Sequence, residues 1–200
     1  MRRFDEDEVL DQAMRVFWQR GYEATSIDDL VEATGLKRGS LYNAFGDKER
    51  LFLQVLARYQ ARYEMPLRDA LDDPDLRRGL ARMFEVQIAG LSEPTFPGGC
   101  LIANTFTEAG HRDDAIGQAS RRSAADAESA LYDALHRAQV AGQLDPGHDI
   151  RALARFFLTV SRSLALLHRC LGDARYLRDV ARSALLVLDA SPVRAACQAT

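Results

Sequence analysis

The densest group of side chains able to do chemistry lies between Lys37 and Lys48, where Lys37, Arg38, Ser40, Tyr42, Asn43 and Lys48 all carry hydrogen-bond donors. Lys37 and Arg38 are cationic donors suited to phosphate oxygens or to the acceptor edge of guanine. Tyr42 stands one helical turn beyond Arg38, so a helix over this stretch puts its hydroxyl on the same face. Gly39 has no side chain and lets the backbone come close to a bound surface, where the free amides of a helix N-terminus attract anions. Thr25 and Ser26 add hydroxyls a short way upstream. The chemistry implied is the holding of a polyanion, without bond making.

Other groups of polar residues are weaker. His111, Asp113 and Asp114 lie close together, as do His148 and Asp149, but both sets fall beside helix starts, where aspartate caps are routine. GxSxG, HExxH, a glycine-rich phosphate loop after a strand and Cys/His metal spacings are all missing. No catalytic residue, no metal and no cofactor are expected, so the chain reads as a non-enzyme. Cys100, Cys170 and Cys197 are far apart and odd in number, which argues against a disulfide framework. Cys100 follows Gly98 and Gly99 at the start of a helix, a position that raises thiolate reactivity; a buried small hydrophobe is the competing reading. Cys170 reads as a core residue and Cys197 as a tail residue.

Bulk properties narrow the partner. With 200 residues, 47% hydrophobic and 28% charged, the chain can bury a real core as one or two compact domains. A net charge of −3 excludes an indiscriminate nucleic-acid binder, because unspecific affinity comes from excess Lys and Arg. Residues 1–50 hold eight Lys and Arg against eleven Asp and Glu, with five of the acids clustered early (Asp5, Glu6, Asp7, Glu8, Asp11) and Lys37, Arg38, Lys48 and Arg50 following later. Any contact with DNA must therefore use a short basic patch. No apolar run approaches the roughly 18 residues needed to cross a bilayer, and the N-terminus lacks the pattern of a signal peptide, so the expected compartment is the cytoplasm and no membrane contact is expected.

Hydrophobic periodicity near 3.6 predicts an all-α chain of about nine helices. Val9, Leu10, Ala13, Met14, Val16 and Phe17 stripe a first helix, about Asp5 to Arg20, closed by Gly21. Thr25 and Ser26 offer an N-cap to a short second helix that stops at Gly35. Leu36, Leu41 and Phe45 anchor a third helix, ended by Gly46, and turn its donors away from the core. A fourth helix, capped by Asp47, is expected to break at Pro66. Helix five follows Pro74, helix six covers about Cys100 to Ala109, and helix seven about Asp113 to Gly142, with a small-residue stripe of Ala119, Ser123, Ala127, Ala130, Ala134 and Ala138. Helix eight, about Ile150 to Leu171, is apolar over more than one face, and helix nine, Tyr176 to Leu188, closes the fold. A two-fold dimer through these last helices accounts for the excess, with Phe156, Val160, Leu164, Leu167, Val180, Ala184 and Leu188 as its residues; a long core helix in a monomer is the alternative. The organisation expected is a three-helix head over 1–48, a helical body over 49–190 that dimerises through its last helices, and a flexible tail over 191–200.

Two short helices joined by a tight turn, the second opening with Lys37, Arg38, Gly39 and Ser40, match a helix-turn-helix. The run from Gly21 to Leu51 resembles the TetR family of bacterial regulators: the Gly21-Tyr22 pair, Thr25-Ser26, Ala33 and Gly35 around the turn, Gly39-Ser40-Leu41-Tyr42, Phe45, and Lys48-Glu49 before Leu51. Ala44 departs from the histidine often found there in relatives. The resemblance implies that Thr25, Ser26, Tyr42 and Lys48 hold phosphates and that Lys37, Arg38, Gly39, Ser40 and Asn43 lie at or near base edges. It further implies a homodimeric repressor on an inverted-repeat operator in double-stranded DNA, released by a small-molecule effector.

The implied cavity lies within helices four to eight, with candidate lining residues Tyr59, Tyr63, Phe84, Gln87, Ile88, Cys100, Phe106, His111, Phe157 and Ser161. The stretch around Cys100 also resembles a subgroup in which some members sense electrophiles or oxidants through a cysteine, which leaves thiol sensing open beside reversible ligand binding. A helical adaptor or an enzyme is the remaining alternative.

Overall fold

A computed structural model describes residues 4–93 and 97–190, and every regular element among them is helical. α1 (Glu6–Arg20), α2 (Ile27–Thr34) and α3 (Arg38–Phe45) form the head. α4 (Lys48–Tyr59) continues through a π-helical turn (Gln60–Glu64) into a last α-helical stretch (Met65–Ala70), making one rod. The body adds α5 (Leu76–Leu91), α6 (Leu101–Ala109), α7 (Ala115–Val140), α8 (Ile150–Leu171) and α9 (Ala174–Leu185), which runs into a 3₁₀ turn, Leu186–Asp189. The expected flexible tail over 191–200, with Cys197, lies outside the described residues.

Eight of these nine helices open on a side chain that accepts from the first-turn amides: Asp5, Ser26, Asp47, Asp75, Cys100, Asp114, Asp149 and Asp173. At α2 the cap is reciprocal, with Asp29 N donating to Ser26 Oγ at 3.1 Å and Ser26 N donating to Asp29 Oδ2 at 2.8 Å. Such caps contribute about 0.5–2 kcal/mol each. α3 is the exception, since Lys37 at its N-cap makes no side-chain cap bond.

The head is fastened to the body by aromatic packing along α4. Phe17 meets Phe52 edge-on at 4.8 Å, and Trp18 meets Tyr59 at 4.8 Å and Tyr63 at 5.2 Å, so α1 rests along the rod from Phe52 to Tyr63. Arg58 of α4 donates through Nε to Asp11 and through Nη1 to Asp7, each at 2.6 Å, and holds the Asp11 carboxyl below the usual carboxylate range. Leu30, Leu41, Phe45 and Leu51 complete a small core that orients α2 and α3.

Several expectations are corrected. The rod does not break at Pro66: the preceding π-helical turn has already shifted the hydrogen-bond ladder, and proline is tolerated in the first turn of the stretch that follows. Cys170 is exposed, not core. Leu164 and Ala184, expected at a dimer interface, are buried in their own chain. Helical phase explains this, because Leu153, Phe157, Ser161 and Leu164 line the inward stripe of α8, and Leu177, Ala181 and Ala184 that of α9. Phe156 is exposed and Val160, Leu167, Val180 and Leu188 are half-buried, while Leu166, Leu171, Tyr176 and Leu186 join them as exposed apolar side chains. The small-residue stripe of α7 does allow close approach: Ser123, Ala134 and Ala138 are buried. No described helix is long and apolar enough to cross a membrane.

Candidate nucleic-acid interface and cavity

Gly35, between α2 and α3, sets the angle of the reading surface. Gly35 adopts a left-handed conformation (φ 64°) and its amide caps Val31 O, which turns the chain sharply into Leu36 and α3. Leu41 and Phe45 then point inward, and Lys37, Arg38, Gly39, Tyr42 and Asn43 are exposed on the outer face, with Ser40 half-buried. Ser26 is also exposed, its hydroxyl shared with Asp29. The first amides of α3, without a side-chain cap, open onto the same surface as Lys37 and Arg38. An anion placed there meets the positive end of the helix dipole together with cationic side chains.

Two expected contacts take a different form. Thr25 is 1% exposed and its hydroxyl donates to Gly21 O at 2.6 Å, so its side chain closes the α1–α2 turn and does not face outward. Lys48 is half-buried: its Nζ lies 4.4 Å from the centre of the Tyr22 ring and 3.5 Å from Glu23 O. Burial lowers the pKa of its ammonium group, against the pull of Glu23 and Glu108. Arg38 is paired with Asp28 of α2, Nη2 to Oδ1 at 2.7 Å, with both side chains largely in solvent. That pair couples the two helices of the motif across the turn, and the Asp28 carboxylate raises the Arg38 pKa. The basic surface is thus small and partly neutralised by its own acids, consistent with the net charge of the chain.

In the body a cavity of about 400 Å³ opens between the rod, α5, the start of α6 and α8. Of the expected lining residues, Tyr59, Tyr63, Gln87 and Cys100 face it. Phe84, Ile88 and Phe157 do not; they fill the core between α5 and α8, where Phe84 and Phe157 pack at 6.3 Å. Phe106 and His111 also lie off the lining, the latter exposed at the end of α6. Ser161 is turned toward Gln87, donating to its Oε1 at 3.1 Å while Gln87 Nε2 donates to Ser161 O at 2.8 Å.

The polar heart of the cavity is a pair absent from the expectations. Glu64 and Arg162 form an ion pair at 2.6 Å with side chains only 7% and 16% exposed. Ser123 Oγ donates to Glu64 Oε2 at 3.2 Å, and Arg162 Nη1 lies 3.6 Å from Cys100 Sγ. Burial works against the charge on Arg162, but Cys100 and Glu64 beside it outweigh that, and its pKa is raised. Burial, reinforced by Cys100, pushes the Tyr59 phenol well up, so it is a neutral donor. Arg162 could have been found in the sequence as a cation in the inward stripe of α8. Glu64 could not, because the extra residue of the π-helical turn rotates it inward. Cys100 is 5% exposed and its sulfur accepts from Ala103 N at 3.4 Å, so it caps α6 while touching the cavity wall.

Comparison with known proteins agrees with this architecture. Residues 9–55 match the family model described as bacterial regulatory proteins, tetR family, and residues 75–184 match the tetracyclin repressor-like C-terminal domain. The chain is 33% identical over 184 residues to the transcriptional repressor ComR of Escherichia coli K12, covering 91% of this chain and 88% of that protein. It is 31% identical over 190 residues to the uncharacterised regulator YezE of Bacillus subtilis 168, covering 94% and 98%. Among solved structures, a triple cysteine variant of the regulator CifR in complex with 26-bp operator DNA superposes with a TM-score of 0.88 at 32% identity, covering 94% of this chain and 98% of that one. The chain belongs to the TetR family of bacterial regulatory proteins.

Proposed function

We propose that the protein is a dimeric transcriptional repressor that binds an inverted-repeat operator in duplex DNA and leaves it when a small molecule occupies the body cavity. The observation that carries the reading is α3: an exposed short helix with Lys37, Arg38, Tyr42 and Asn43 outward and its first amides left without a side-chain cap. Specific duplex binding without excess positive charge requires such a geometry, since base edges and a few phosphates must supply what bulk attraction does not. ComR is named as a repressor and CifR is solved on operator DNA, which supports repression and operator binding here. The exposed apolar side chains of α8, α9 and the 3₁₀ turn after it, Phe156, Leu166, Leu171, Tyr176 and Leu186, supply the dimer surface. The head is assigned to residues 1–48 and the cavity and dimer surface to 49–190; no catalytic role and a cytoplasmic location accompany the reading.

Selection of bound duplexes from a random library tests it. The enriched sequences should form an inverted repeat, and light scattering should return two chains per particle. A library that yields no enriched sequence with folded protein would overturn the proposal. Within the same assay, Lys48→Ala should weaken binding to all sequences and flatten the plot of log K against log salt by about one unit, as expected for one lost phosphate contact. An unchanged slope would assign Lys48 to the Tyr22 ring and Glu23 carbonyl alone.

A second reading of the effector has a specific observation behind it. Cys100 touches the cavity with Arg162 at 3.6 Å from its sulfur, so the occupant could react with the thiol instead of binding reversibly. A Cys100→Ser protein that still leaves its operator in response to the same electrophile or peroxide as the parent would remove this reading.

A further inference from the structure

Between head and body the chain places one carboxylate against main-chain amides. Glu108, on the last turn of α6, accepts from Tyr22 N at 2.8 Å and from Glu23 N at 3.3 Å through the same oxygen, across 86 and 85 residues of sequence. Both amides belong to the turn between α1 and α2, the segment that carries α2 and, through it, the reading helix. Gly21 makes room for this: its backbone is left-handed (φ 86°), and a methyl group there would overlap the Glu108 carboxylate. Arg112, in the loop after α6, pairs with the Glu23 side chain and lies 5.8 Å from the centre of the Tyr22 ring. Tyr22 is itself wedged on Phe52 of the rod at 4.9 Å.

We propose that Glu108 is a positioning residue for operator binding: its carboxylate holds the α1–α2 turn, and so fixes the angle at which each head projects from the body. The proposal rests on the operator-binding reading given above. Three facts point the same way. A carboxylate on two amides is a charge-assisted contact, stronger and more directional than apolar packing. Its partners are backbone, so it fixes the position of the head whatever its side chains do. And α6 starts at the cavity: Cys100 caps it, and Phe106 on the same helix lies 5.9 Å from the Arg162 guanidinium. The carboxylate therefore sits on a helix that runs from the cavity wall to the head.

The test uses the full-length protein with two duplexes: the inverted repeat returned by selection, and one half-site alone. Two heads must be correctly spaced for the first, whereas the second needs a single head in any orientation. Glu108→Ala should lower affinity for the full operator about tenfold, within the roughly 5–150-fold usual for coupling between sites, and leave half-site affinity within about twofold. Should Glu108→Ala melt early, Glu108→Gln is read in its place, with a smaller operator loss and the same half-site retention. Equal losses on both duplexes, or no loss on the operator, would overturn the positioning role. Wild-type protein that binds the operator no better than the half-site would instead sink the dimeric-repressor reading.

Discussion

Arg38→Ala weakens binding to the selected operator by about 1–3 kcal/mol, roughly 5–150-fold, and relaxes sequence preference at one position in each half-site. Arg38 is the first residue of α3, its side chain is 58% exposed, and its planar donors match the acceptor edge of guanine. Its present partner, Asp28, is 80% exposed, and a pair so placed in solvent contributes little, so handing the guanidinium to a base edge costs little. For the same reason Arg38→Ala leaves the melting temperature nearly unchanged. Asp28→Ala serves as the control: it frees Arg38 and removes a negative charge near phosphate, so affinity should hold or rise. Competition between operator and random duplex decides the role of the residue. A loss of the same size on both would make Arg38 a phosphate contact.

The largest effect on stability is expected at the Glu64–Arg162 pair. Removing one member leaves the other as a buried charge short of its partner, which typically costs about 3–5 kcal/mol. Glu64→Ala also strands the Ser123 hydroxyl, whose acceptor it is. For a chain of this length the melting temperature should fall by about 6–20 °C. Replacing both at once, as Glu64→Leu with Arg162→Met, removes the desolvation penalty along with the attraction, and stability should return to within about 1–2 kcal/mol of the parent. Urea unfolding of the single and double variants measures the difference. Single variants as stable as the parent would mean that water in the cavity screens the pair. The arrangement bears on recognition too, because an ion pair leaves the polar end of the cavity neutral overall while offering a donor and an acceptor to one occupant.

Much of the head was legible from residues 5–51. Its helices are short, their caps are Asp, Ser and Gly at fixed offsets, and its core positions recur at helical spacing, so each local preference agrees with the final arrangement. The exposed donors of α3 followed from the same phase, since Leu41 and Phe45 leave them one direction to point. Thr25 shows the limit, because a hydroxyl before a helix is equally suited to capping, to phosphate, or to closing the preceding turn, and only the position of Gly21 O reveals that it closes the turn. In the body the helices were readable but their partners were not. Phe84, Ile88 and Phe157 have the same composition signal as the cavity wall, and which apolar side chains face a void depends on how three helices cross.

By itself the sequence determined which residues are helical, where helices start, which face of each is apolar, and that a short basic helix is offered to a polyanion. These are properties of neighbours within about four residues, carried by periodicity and by caps. Tertiary structure alone decided the meeting of Glu64 with Arg162 and of Glu108 with the Tyr22 and Glu23 amides. Such contacts join segments 85 to 98 residues apart, and their existence turns on a π-helical turn and a glycine whose conformations are stabilised by the packing around them.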